Sequence, residues 1–122
     1  MDADATRERI ATICLALPEA ARDSATGQHD LYSVRGKRFA YYLNDHHGDG
    51  RMSLEFRAAP GEQGRLVAED PRRFFVPSYI ARYGWVGLYL DLGTVDWDEA
   101  ERFILDSFVL VAPKAVAAKL VG

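Results

Sequence analysis

Ile10, Ile13, Cys14 and Leu17 recur at the i, i+3, i+4, i+7 spacing of one helix face, and Pro18 stops the run. The spacing predicts a first helix from about Asp4 to Ala16. The polar stretch EAARDSATGQHD behind it reads as loop. LYSVRGKRFAYYL then gives two short β-type runs around a glycine, a hairpin whose turn residues decide which side chains face the core. With Gly36-Lys37 as a two-residue loop, Val34 lies opposite Phe39 and Tyr32 opposite Tyr41, so the large apolar side chains share a face. With Arg35-Gly36 as the loop, Val34 meets Lys37 instead. Apolar matching favours the first register, with Gly36 opening a type II′ turn.

After the loop NDHHGDG, RMSLEFR alternates strictly: Met52, Leu54 and Phe56 point one way, Arg51, Ser53, Glu55 and Arg57 the other. This predicts a half-buried antiparallel strand. APGEQGRLVAEDP suggests a short helix started by Pro60 and weakened by Gly61 and Gly64. RRFFVP reads as a short strand ended by Pro77. Ser78 to Tyr83 makes about one helical turn, with Gly84 as its left-handed cap. From Trp85 the chain alternates again, with Val86, Leu88, Leu90 and Leu92 on a core face and Trp85, Gly87, Tyr89 and Asp91 on the other. Asp96 with Glu99 is a capping-box-like start. Ala100, Phe103, Ile104, Ser107, Phe108 and Val111 then trace one helical stripe, and Pro113 kinks or restarts the helix before KAVAAKLVG. The order α-β-β-β-α-β-β-α predicts an α+β domain, an antiparallel sheet with its helices mainly on one face.

At 122 residues and 13.6 kDa, residues 1–122 form one domain with a core of its own. No apolar run approaches the ~20 residues of a membrane span, and the polar start MDADATRERI is no signal peptide. The lone Cys14, among apolar neighbours, reads as a buried structural thiol in a reducing cytoplasm. Net charge is −3, unlike the basic balance of a strong nucleic-acid binder. Its distribution changes the picture. Residues 1–30 hold three basic and six acidic residues, 31–90 nine and six, and 91–122 three and six, so the positive charge lies mid-chain.

Several pieces carry a resemblance: LALPEA closing the first helix, GKRFAYY in the hairpin, YIARYGWVGLYLD at the corner and DSFVLVAPK in the last helix. Spanning about residues 10 to 120, they resemble the MmcQ/YjbR-like family of small bacterial proteins, whose members often have tyrosine where this chain has Phe108. The resemblance implies a two-layer fold akin to secretion chaperones and the family's DNA-binding label, with a pair of hairpin wings gripping the duplex. It carries over no catalytic residue.

In the favoured register the sheet face opposite the aliphatic ladder displays Arg35, Arg38, Tyr42, Arg51 and Arg57, with Lys37 at the hairpin tip and Trp85 and Tyr89 joining from the later strand. Guanidinium groups for phosphates beside flat rings suit weak, charge-driven DNA binding through Arg35, Lys37, Arg38, Arg51 and Arg57. The same face offers another use. Tyr42, Trp85 and Tyr89 would make an apolar platform for a small ligand, another protein or a second copy of the chain in a homodimer. Arginines that merely keep a sheet face soluble are a third reading.

His29, His46, His47, Asp45 and Asp49 contain metal-ligand chemistry, but adjacent loop histidines aim poorly at one ion, so the polar loop is preferred and no metal is expected. Ser107 with Asp106 lacks the exposed, strained setting of a nucleophile, and its hydroxyl is expected to bond within its own helix. No P-loop, dinucleotide-binding glycine pattern or zinc motif occurs. The expectation is a binding domain without cofactor or catalysis.

Overall fold

The computed structural model describes residues 3–24, 27–45, 48–78 and 80–120. Helix α1 (Ala3–Leu15) buries Ile10 and Cys14 on the predicted stripe. The stretch after it is not all loop. Ala20–Asp23 forms strand β1, paired antiparallel with β2 (Asp30–Val34), Ala20 opposite Val34 and Arg22 opposite Tyr32. AARD lacks the β-branched and aromatic residues that advertise a strand, so tertiary pairing alone makes it one.

The hairpin from β2 to β3 (Lys37–Asn44) adopts the register that apolar matching disfavours. Its turn is Arg35-Gly36, both at positive φ (50° and 78°), as a type I′ turn demands. Val34 meets Lys37, Ser33 meets Arg38, and the register shifts so that Tyr32 meets Ala40. The additional residue is Phe39, a bulge that carries its ring into the core and reverses the phase of the strand beyond it. Tyr42 therefore lies on the helix-covered face, 1% exposed, and Tyr41 replaces it on the other.

β4 (Met52–Arg57), α2 (Glu62–Glu69), β5 (Phe74–Phe75), a 3-10 turn (Ala81–Tyr83) and β6 (Trp85–Tyr89) follow. The sheet is antiparallel with order β1-β2-β3-β4-β6-β5. Leu54 opposite Leu88 and Phe56 opposite Val86 form the aliphatic ladder predicted for this face. α3 (Trp97–Val111) is capped by Asp96, whose side chain accepts the Glu99 amide. Its Ile104 and Phe108 are fully buried, and Phe103 stacks on Phe56 at 4.5 Å. Complete burial of side chains of this size contributes about 1.5–3 kcal/mol each. Pro113 restarts the chain as α4 (Lys114–Ala117), which buries Val116.

The expected α+β class and one-sided helix layer stand, with β1 added. The other sheet face differs from expectation: it is not a solvated surface. Ser53, Glu55 and Trp85 are 5%, 7% and 6% exposed. Phe75 lies across Gly87, where a Cβ would sit 2.1 Å from the ring, and stacks on Tyr89 at 4.6 Å. Tyr41 and Trp85 meet at 5.2 Å. Rings from neighbouring strands cover this face in place of helices. At its end, Gly84 has φ 86° and its amide bonds Ala81 O, the left-handed cap the sequence calls for.

Candidate functional site

Lys37 and Arg38 leave the Arg35-Gly36 turn exposed at the start of β3, and Arg57 ends β4 exposed. Ser107 ties these two places together from α3. Its buried hydroxyl donates to Phe39 O at 2.7 Å and accepts the Arg57 amide at 2.9 Å. Its partners are therefore two strands rather than its own helix, and the bulge carbonyl at Phe39 is what makes the first bond available. The Arg57 guanidinium is aimed by its Nε–H, which donates to Tyr83 O at 3.0 Å.

Between the hairpin tip, the Arg57 end of β4, the Tyr83–Trp85 corner and the end of α3 lies a cleft of about 440 Å³. Lys37, Arg38 and Arg57 line it together with Tyr41, Tyr83 and Trp85, and Ile80, Leu110 and Val111 complete the wall. No described acidic residue lines it, and none of its three cations forms an ion pair with a described carboxylate. Arg38 donates to the Tyr41 hydroxyl at 2.9 Å. Tyr83 is 48% exposed, its hydroxyl held by Arg82 at 2.6 Å. The arrangement offers guanidinium and ammonium donors to an oxyanion and ring faces to a flat group beside it.

Two other predicted cations are used up internally. Arg35 pairs with Glu19 at 2.6 Å, and Lys119 joins the same carboxylate at 2.8 Å. The hydrogen bond from Arg35, then that from Lys119, holds Glu19 down at about 2. Arg51 grips Asp91 with two hydrogen bonds, 3.1 and 2.8 Å, and lies over the Tyr89 ring at 4.0 Å. The apolar platform also dissolves. Tyr42 is buried below α1 with Arg7 near its ring at 5.9 Å, Trp85 is buried though it contributes to the cleft wall, and Tyr89 is half-buried beneath Arg51 and Phe75. Tyr41 and Tyr83 are the rings that sequence reasoning missed. Tyr41 was hidden by the bulge, and Tyr83 by belonging to a turn rather than a strand.

His46 and His47 lie outside the described residues. Among the described residues no three His, Cys, Asp or Glu side chains cluster to hold a metal, and His29 Nδ1 accepts the Asn44 amide. On the helix side the buried Asp30 carboxylate receives Arg7 at 2.7 and 2.8 Å, Arg22 at 2.9 Å and Ser24 at 2.5 Å. Burial opposes its ionisation, but the bonds from Arg7, Arg22 and Ser24 outweigh it and hold the carboxyl well below the usual range. This network locks α1 to β1 and β2, and leaves Arg22 Nε buried without a hydrogen-bond partner among the described residues.

Comparison with known proteins adds a lineage. The family model described as YjbR matches residues 15–110, most of the chain. The crystal structure of the Deinococcus radiodurans protein DR2400, a DUF419 domain, aligns with a TM-score of 0.71 at 20% identity, covering 92% of this chain and 85% of that one. At that identity the likeness speaks for the fold. No curated protein matches the sequence.

Proposed function

The chain belongs to the YjbR family, and from that premise we propose that it is a non-enzymatic domain that binds nucleic acid weakly, seating a single strand or strand end in the hairpin-tip cleft. Phosphates contact Lys37, Arg38 and Arg57, and an unstacked base rests on Tyr83 or the edge of Tyr41. The observation that carries the reading is the convergence of three cations, without acidic partners among the described residues, on an aromatic-lined cleft that no described carboxylate lines. At about 440 Å³ the cleft suits one or two nucleotides rather than the width of a duplex.

Anisotropy of a labelled oligothymidylate between 20 and 200 mM salt tests it. Neutralising three single-strand phosphates gives a log–log slope of about −2. Replacing Lys37, Arg38 and Arg57 by alanine together flattens the slope, whereas Arg35→Ala with Arg51→Ala leaves it in place. Absence of binding to single strands at the lowest salt defeats the proposal.

A further inference from the structure

Beside the cationic cleft runs a second depression of about 510 Å³ between α2 and α3. Its walls are Leu66, Phe103, Leu105, Val109 and Leu120. Leu105, Val109 and Leu120 are 37%, 50% and 37% exposed, large apolar side chains left in water on one side of the molecule. The two depressions adjoin at Arg57 and Leu110, which line both.

Charge is divided along this path. The acidic residues of the apolar groove are Glu62, engaged by Arg65 at 2.5 Å, and Asp106 on α3. The cationic cleft has Lys37, Arg38 and Arg57 and no described carboxylate. An anionic head is therefore repelled from the groove and drawn into the cleft, while a hydrocarbon tail is excluded from water only in the groove.

We propose that the joined depressions bind a single-chain amphiphile with an anionic head, the head on Arg57, Lys37 and Arg38 and the tail between Leu66, Phe103 and Val109. This goes beyond the nucleic-acid reading and places a competing ligand on the same cations, so occupancy by the amphiphile displaces a bound strand. Charge complementarity chooses this occupant over a neutral or cationic one. A long acyl carboxylate and an alkyl phosphate share the required chemistry.

Titration calorimetry with alkyl phosphates below their critical micelle concentrations tests it, with inorganic phosphate and neutral dodecyl maltoside as comparators. Each methylene withdrawn from water strengthens binding on the order of fourfold at full burial, so affinity is expected to rise at least twofold per methylene from octyl to dodecyl phosphate. Dodecyl phosphate should bind at least tenfold more tightly than either comparator. Val109→Asp, at an exposed position, should lose tenfold or more for dodecyl phosphate and little for inorganic phosphate. Arg57→Gln should weaken dodecyl phosphate and leave the maltoside unaffected. A flat chain-length series, or maltoside binding as tight as dodecyl phosphate, overturns the proposal. So does a dimer that Val109→Asp dissociates and dodecyl phosphate does not enter. Dodecyl phosphate binding by a protein that ignores oligothymidylate sinks only the nucleic-acid reading.

Discussion

Glu55 projects from β4 between Tyr41 and Gly87, with 7% of its surface exposed and no hydrogen bond or ion pair to a described residue. Burial, reinforced by the charge of Asp49, pushes its carboxyl up from 4.5 to about 7. Between those values the folded protein keeps a proton that the unfolded chain has released. The resulting stabilisation is complete below pH 4.5 and is lost as pH rises to 7. Carboxylates held low by their partners, such as Glu19 and Asp91, act in the opposite sense and only in acid. Glu55→Gln isolates the effect. Urea melts of both proteins from pH 4.5 to 8 should show the variant gaining on the order of 3 kcal/mol over the parent across that range, whereas a constant difference refutes the buried-acid account. Trp85, 6% exposed against Tyr41, closes the edge of this ring layer. Trp85→Ala is expected to cost about 3 kcal/mol or more in the same melts, and an unmoved midpoint would make the indole a free platform instead.

The second hairpin strand shows why one part of the chain was legible and another was not. β4 and β6 keep a single phase from end to end, so alternation alone assigns Leu54, Phe56, Val86 and Leu88 to the core. β3 changes phase at Phe39. Matching large apolar residues across a turn assumes a constant phase, and so it selected the wrong loop and turned Tyr42 outward. The turn chemistry pointed the right way, since Arg35-Gly36 puts glycine where a I′ turn needs it, but a left-handed arginine is uncommon enough to be passed over. Helices were easier because their caps are local: Asp96 and Gly84 act where the sequence places them. What holds the bulge is Ser107, a residue whose place in an apolar stripe concealed a bond 68 positions away. Ser107→Ala strands the Phe39 carbonyl and the Arg57 amide together. Equilibrium unfolding should register a loss of roughly 2 kcal/mol, and oligothymidylate binding should weaken as Arg57 drifts from the hairpin tip. An isoenergetic Ser107→Ala would remove the clamp from the explanation.

Across the whole molecule, folding redistributes charge in a way that composition does not reveal. The positive centre of the chain is real, yet the acidic flanks return to it in three dimensions: Glu19 from the first turn region neutralises Arg35, and Asp91 from the last third neutralises Arg51. Lys37, Arg38 and Arg57, at one end of the sheet, are among the cations that pair with no described carboxylate, and they mark the cleft. The borders of the sheet impose a further restriction. One is β1, four residues carrying Arg22 and Asp23, and the other is β5, two residues long. A visiting polypeptide that recognises proteins by zipping its amides along a free strand needs a longer and less charged border than either. The same stubby margins deny a growing fibril its template. For the binding proposed above, selectivity then falls to side chains rather than to main-chain ladders, and substitutions around Arg57 are the ones expected to change it.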